Sequence, residues 1–228
     1  IFSYEQAVTE EYLISAYACA TKIPRAIWEK IETPEMVEQV LTREELARFQ
    51  ADRAQIDAYL HYVDMSGVKF HAGDGGATEI DAKLEFFKKK IGAPITMFAV
   101  DWFWPLVIRH YNLIPLDKGK KLDIRVYAQG VTDELKRLAT KHGSWCWLTH
   151  QINAAEGKKK KRMTFEDAAE LKSFAWFMDG CFCLGKLDES GFGPLDYSKA
   201  RNQKTSNTVI MLQGEIATFK EVGNDMTF

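Results

Sequence analysis

Ile95-Thr96-Met97-Phe98-Ala99-Val100-Asp101 is the stretch on which the reading of this chain turns. An apolar run of strand length, with no polar alternation, closes abruptly on a carboxylate. Such a run fits a strand covered on both faces, the usual situation in a parallel sheet. Residues 144–149, Ser-Trp-Cys-Trp-Leu-Thr, repeat the pattern, and residues 1–3, Ile-Phe-Ser, read as the end of another strand. Helical patterns fill the intervals. Val8, Tyr12, Leu13, Ala16, Tyr17 and Ala20 keep helical spacing between Tyr4 and Thr21. Residues 24–32 read as a short helix opened by Pro24. Thr42 and Glu45 form a capping box for a helix ending near residue 60. Residues 77–91 are a helix whose last turn carries Lys88, Lys89 and Lys90 before Gly92, as the helix dipole favours. Residues 122–142 and 166–174 are helical too, 68–71 reads as a weak strand, and 105–121 as a loop. Four β segments near 180–184, 195–200, 208–212 and 217–220 end the chain. Helices alternating with apolar strands predict an α/β fold: a mostly parallel sheet with helices on both faces and a β-rich C-terminal end. No repeat or linker divides it, so residues 1–228 are expected to form a single domain.

The chain has 228 residues with 30 basic and 32 acidic side chains, a net charge of −2, which excludes a bulk polycation that coats nucleic acid. At 46% hydrophobic and 27% charged it has the composition of a globular domain. No run of about 18 apolar residues is present, and no secretory leader is read, so a cytoplasmic setting is expected. Cys19, Cys146, Cys181 and Cys183 sit in apolar stretches without metal-ligand spacing and read as buried, reduced thiols. Cys181 and Cys183, two apart in a predicted strand, point to the same face. The histidines form no HExxH or HxH pattern, so zinc chemistry is not expected.

Polar groups concentrate where strands are predicted to end. Glu5 follows residues 1–3, Asp101 follows 95–100, Gln151 follows 145–150, and Lys199 and Arg201 close the segment near 196–198. Ligands of open α/β sheets collect beyond the carboxyl ends of the strands. Two carboxylates, an amide and a Lys-x-Arg pair are what a nucleoside triphosphatase needs to hold a metal, orient water, sense phosphate and neutralise a transferring phosphoryl group.

The order of these segments carries a resemblance. Ile1-Phe2-Ser3-Tyr4-Glu5-Gln6 resembles the catalytic-glutamate segment of DnaB-type replicative hexameric helicases, and Met97-Phe98-Ala99-Val100-Asp101-Trp102 resembles their Walker B strand. Leu148-Thr149-His150-Gln151-Ile152-Asn153 is similar to the segment that senses the γ-phosphate, and Lys199-Ala200-Arg201-Asn202 to the family's Lys-x-Arg-Asn. The segment 209–219, with Gly214 and Phe219, resembles the closing hairpin of the same RecA-like P-loop NTPase core. The resemblance implies ATP and Mg2+ as cofactors, with the metal at Asp101. It implies that Glu5 orients water, Gln151 contacts the γ-phosphate, and Lys199 and Arg201 reach the ATP of a neighbouring subunit. The implied partners are single-stranded DNA, further copies in a homo-hexameric ring, and a primase and loader. DNA would be met by one loop over residues 109–125, with Lys118, Lys120 and Lys121, and another over 154–163, with Lys158, Lys159, Lys160, Lys161 and Arg162.

The chain departs from the family pattern in two ways. No GxxxxGK followed by Ser or Thr occurs, and Trp102-Phe103-Trp104-Pro105 stands where the family usually has Tyr-Leu-Gln-Leu. The phosphate loop is expected upstream of Ile1, which makes the chain a fragment of a longer phage-type or bacterial helicase. A recombinase-like or clock-type ATPase of the RecA superfamily is an alternative, as is a DNA-binding or scaffold remnant that does not hydrolyse ATP. Trp102, Phe103, Trp104, Trp145, Trp147, Trp176 and Phe177 read as aromatic core, and residues 73–76 and 191–193 as turns.

Overall fold

The computed structural model describes residues 1–4, 9–31, 34–59, 63–64, 76–113, 123–151, 163–164, 167, 178–200, 206–214 and 218–223. The apolar runs form a parallel sheet of β1 (Phe2–Ser3), β2 (Val63–Asp64), β3 (Met97–Asp101) and β4 (Trp145–Leu148), in the order β2-β1-β3-β4. The registers set Ser3 beside Asp101 and Val100 beside Leu148. Alternation along β3 buries Phe98 and Val100 on one face. They pack with Phe2, Ile80, Leu84, Phe103, Leu106, Val107, Val131 and Leu135, a core shared by the sheet and the helices that follow its strands.

Those helices are α5 (Ala77–Ile91), α6 (Phe103–Leu113) and α7 (Ile124–His142). The Asp123 side chain caps α7 by accepting from the Arg125 N–H, and left-handed Gly92 and Gly143 end α5 and α7. Gly76 opens α5 at φ +33, where a Cβ would lie 2.7 Å from Leu106 Cδ1. Earlier in the chain, α1 (Thr9–Thr21), α2 (Arg25–Trp28), a 3-10 turn at Pro34–Met36, α3 (Val37–Val40) and α4 (Arg43–Tyr59) enclose a second cluster around Trp28 and Phe49. The capping box of α4 is formed: Thr42 Oγ1 accepts from the Glu45 N–H at 3.3 Å, and Glu45 Oε2 accepts from the Thr42 N–H at 2.9 Å.

The C-terminal strands make a separate antiparallel sheet in sequence order: β5 (Gly180–Leu184), β6 (Phe192–Ala200), β7 (Ser206–Gln213) and β8 (Thr218–Gly223). An aromatic stack joins the two sheets. Trp147 of β4 stacks on Phe182 of β5 at 5.7 Å between centroids, and Phe182 on Tyr197 of β6 at 4.5 Å. No helix among the described residues is long and apolar enough to cross a membrane.

Several expectations are corrected. Residues 105–113 are not loop but part of α6. Pro105 sits in that helix's first turn, where a missing N–H breaks no helical hydrogen bond. Arg109 is therefore helical and Arg125 lies in α7, so the first proposed DNA loop is shorter than 109–125. The helix read over 24–32 spans only Arg25–Trp28. Phe103 is core, but Trp145 and Trp147 are exposed, because β4 alternates and only Cys146 and Leu148 turn toward the core. Strand 68–71, helix 166–174 apart from Asp167, most of the turn at 73–76, and Trp176 and Phe177 lie outside the described residues.

Candidate functional site

The parallel sheet brings Tyr4, Asp101 and Thr149 into a row at its C-terminal edge. Ser3 pairs with Asp101, and the Tyr4 N–H donates to the Asp101 carbonyl. On the other side Thr149 N–H donates to the Val100 carbonyl at 3.2 Å, and the Thr149 carbonyl accepts from the Phe103 N–H at 3.1 Å. The backbone on both sides of Asp101 is thus tied to its neighbours. Thr149 Oγ1 donates to Asp101 Oδ1, which fixes the carboxylate's orientation, and Oδ2 takes no hydrogen bond from the described residues. The Asp101–Trp102 peptide is cis.

This donor set fits a hydrated Mg2+ ion, which takes hard oxygen ligands, commonly one or two carboxylates with the remaining positions filled by water and phosphate. Asp101 would supply the protein oxygen. Gln151 is exposed two residues beyond Thr149, at the same edge of the sheet. Lys199 is elsewhere. It is the next-to-last residue of β6 and pairs with Cys181 in the other sheet. Glu5, Lys118, Lys120, Lys121, Lys158, Lys159, Lys160, Lys161, Arg162 and Arg201 lie outside the described residues.

Solved structures share this architecture. A DnaB-like replicative helicase, solved for its interactions with primase, superposes with a TM-score of 0.67 at 15% identity, covering 96% of this chain and 49% of that one. A second solved structure, an ATPase domain, superposes with a TM-score of 0.67 at 14% identity, covering 96% of this chain and 72% of that one. The chain shares their fold, a RecA-like one. The resemblance to DnaB-type helicases read from the order of four motifs and the likeness of the RecA-like fold therefore agree. This chain spans about half the length of the DnaB-like helicase. No family model matches the chain, and no curated protein does.

Sequence reasoning missed two features of this fold. One is Thr149, whose hydroxyl orients Asp101. Its signal was its place at the end of the strand neighbouring the carboxylate, but a β-branched Thr is also an ordinary strand residue. The other is a cluster of Asp81 and Glu85 on α5 with His142 on α7, whose ligand atoms lie within 4.8 Å of one another. Lys141 Nζ donates to both Asp81 oxygens, at 2.7 and 2.6 Å, and His142 Nε2 meets Oδ1 at 2.7 Å. The Lys141 hydrogen bond, then that of His142, outweighs desolvation and holds the Asp81 carboxyl below its usual value. With Lys141 in the cation's place, the cluster clamps α5 to α7. It stands three residues before β4 begins, toward the end of the sheet away from Asp101.

Proposed function

We propose that this chain is the motor portion of a replicative DNA helicase, which couples ATP hydrolysis between subunits to movement along single-stranded DNA. The observation that carries the reading is Asp101, a hydroxyl-oriented carboxylate at the C-terminal edge of a parallel sheet in a helicase ATPase fold. Bound Mg2+ would neutralise charge on the phosphate oxygens of ATP. Asp101 would hold that ion. Glu5, two residues after Asp101's ladder partner Ser3 in the sequence, orients the attacking water. Gln151 contacts the γ-phosphate and relays its presence to residues 154–163, whose Lys158, Lys159, Lys160, Lys161 and Arg162 hold the DNA backbone.

Lys199 and Arg201 act on the ATP of a neighbouring subunit. That Lys199 belongs to a different sheet from Asp101 supports a role toward another copy's site. Cations supplied in this way accelerate phosphoryl transfer by roughly 10³–10⁵ elsewhere, which makes a ring, here a homo-hexamer, necessary for turnover. Residues 1–228 act as one domain, in the cytoplasm, with a primase and loader as partners of the ring. A non-hydrolysing DNA-binding scaffold is the second reading, and hydrolysis separates the two.

The test is ATP hydrolysis, with and without single-stranded DNA, by this chain and by the chain joined to any residues its gene encodes before Ile1. DNA-stimulated hydrolysis lost in Asp101→Asn supports the motor. DNA binding without hydrolysis in either form supports the scaffold. Hydrolysis indifferent to Asp101→Asn contradicts the site.

A further inference from the structure

Cys181 and Cys183 lie on the same side of β5, and their sulfurs are 3.8 Å apart. Alternate residues of a regular strand have Cα atoms roughly 6.6–6.8 Å apart, the upper edge of the range a disulfide can bridge. Here the ladder to β6 shifts register between Cys181 and Phe182. Such a bulge bends the strand and raises its twist, which draws alternate side chains together on one side. Cys181 is half-buried and Cys183 is buried, and neither is in a disulfide. Among the described residues the pair has no third His, Cys, Asp or Glu at metal-ligand distance. The arrangement is a dithiol.

We propose that Cys181 and Cys183 form a reversible oxidation site, closed by a small-molecule disulfide of the glutathione type. The more accessible Cys181, as thiolate, attacks one sulfur of that disulfide; its S–S bond breaks and one thiolate leaves. Cys183, losing its proton, then attacks the Cys181 sulfur of the mixed disulfide and expels the second thiolate. The two leaving thiolates take up the two protons. The protein's two thiols are oxidised to a disulfide, and the reagent is reduced to two thiols. The consequence reaches β6, because Cys181 pairs with Lys199 and Cys183 with Asp196. Closing the ring tightens the bulge and displaces the segment that leads into Arg201. The oxidation rests on the sulfur geometry alone; any effect on ATP turnover rests on the role proposed for Lys199 and Arg201.

The test begins with the native chain treated with oxidised glutathione, alkylated and digested with trypsin. Peptide 173–186 contains both cysteines and no other. It is expected two hydrogens lighter and unalkylated, while Cys19 and Cys146 remain alkylatable and dithiothreitol restores all four thiols. Alkylation of both sulfurs, or a lasting glutathione adduct on Cys181, overturns the proposal. In Cys183→Ser the adduct on Cys181 should instead persist; its absence overturns the assignment of Cys181 as the attacking thiol. Amide exchange then reads the coupling without any nucleotide. Oxidation should change exchange at residues 196–200. Unchanged exchange at 196–200 overturns the link to β6.

Discussion

Asp101 depends on one hydroxyl for its orientation. In Thr149→Val the shape is kept and the donor lost, which removes a charge-assisted hydrogen bond of about 1.5 kcal/mol and should weaken Mg2+-dependent nucleotide binding by roughly tenfold. Titration with a fluorescent ATP analogue measures it, and an unchanged affinity would remove Thr149 from the site. Asp101 was legible in the sequence because a carboxylate closing an apolar run is conspicuous. Thr149 was not, since which hydroxyl faces that carboxylate depends on the register of β3 against β4, a tertiary fact. Asp81 offers a second test. Its carboxyl is held below the usual 3.8, chiefly by Lys141, so the folded state is favoured where Asp81 is ionised. That stability is present above the unfolded-state value and is lost as pH falls through the lower folded-state value. Asp81→Asn should cost about 1 kcal/mol at neutral pH and flatten the acid limb of the stability curve. Urea midpoints measured across that pH range check it; an unaltered acid limb would show that the clamp contributes nothing.

Among the elements, α4 was legible to its first residue because the Thr42–Glu45 box is a local, reciprocal pattern. Thr42→Ala should cost about 1 kcal/mol, seen in thermal unfolding, as a cap that serves its helix must. The helix α6 was missed because Pro105 argues against a helix unless its place in the first turn is known. The register of its buried side chains now settles the matter: Phe103, Leu106 and Val107 fill the core at spacings of three and four. Leu106→Ala should therefore destabilise the protein by about 2–5 kcal/mol, whereas truncation of a loop side chain would cost little. Lys199 was read near a strand end, and it is the next-to-last residue of β6. The ladder to β7 holds Asp196 and Tyr197 in the sheet, opposite Asn207 and Ser206.

For the whole molecule, the order of short motifs along the chain predicted the architecture better than any single motif did. Parallel pairing of β1, β3 and β4 gathers segments far apart in sequence at one edge, as the alternation of helices and apolar strands required. What the sequence could not show was which face of β4 turns outward. Trp145 is 78% exposed and Met97, beside it in the ladder, 60%. The same scale holds the test of shared sites. Mixing Glu5→Gln with Arg201→Ala subunits should restore part of the activity that each variant lacks, and no recovery at any ratio would contradict action in trans. Neutralising Lys158, Lys159, Lys160, Lys161 and Arg162 should lower the slope of log affinity for single-stranded DNA against log salt by up to about 3.5, at about 0.7 per phosphate contact. An unchanged slope would take that segment off the DNA. The most direct test of the nucleotide site is hydrogen exchange of the chain with and without millimolar Mg2+ and a slowly hydrolysed ATP analogue. Protection is expected at residues 3–4, 101–103 and 149–151, and is expected to vanish in Asp101→Asn. Protection confined to other segments, or unaltered by that substitution, would contradict a nucleotide site at the C-terminal edge of the parallel sheet.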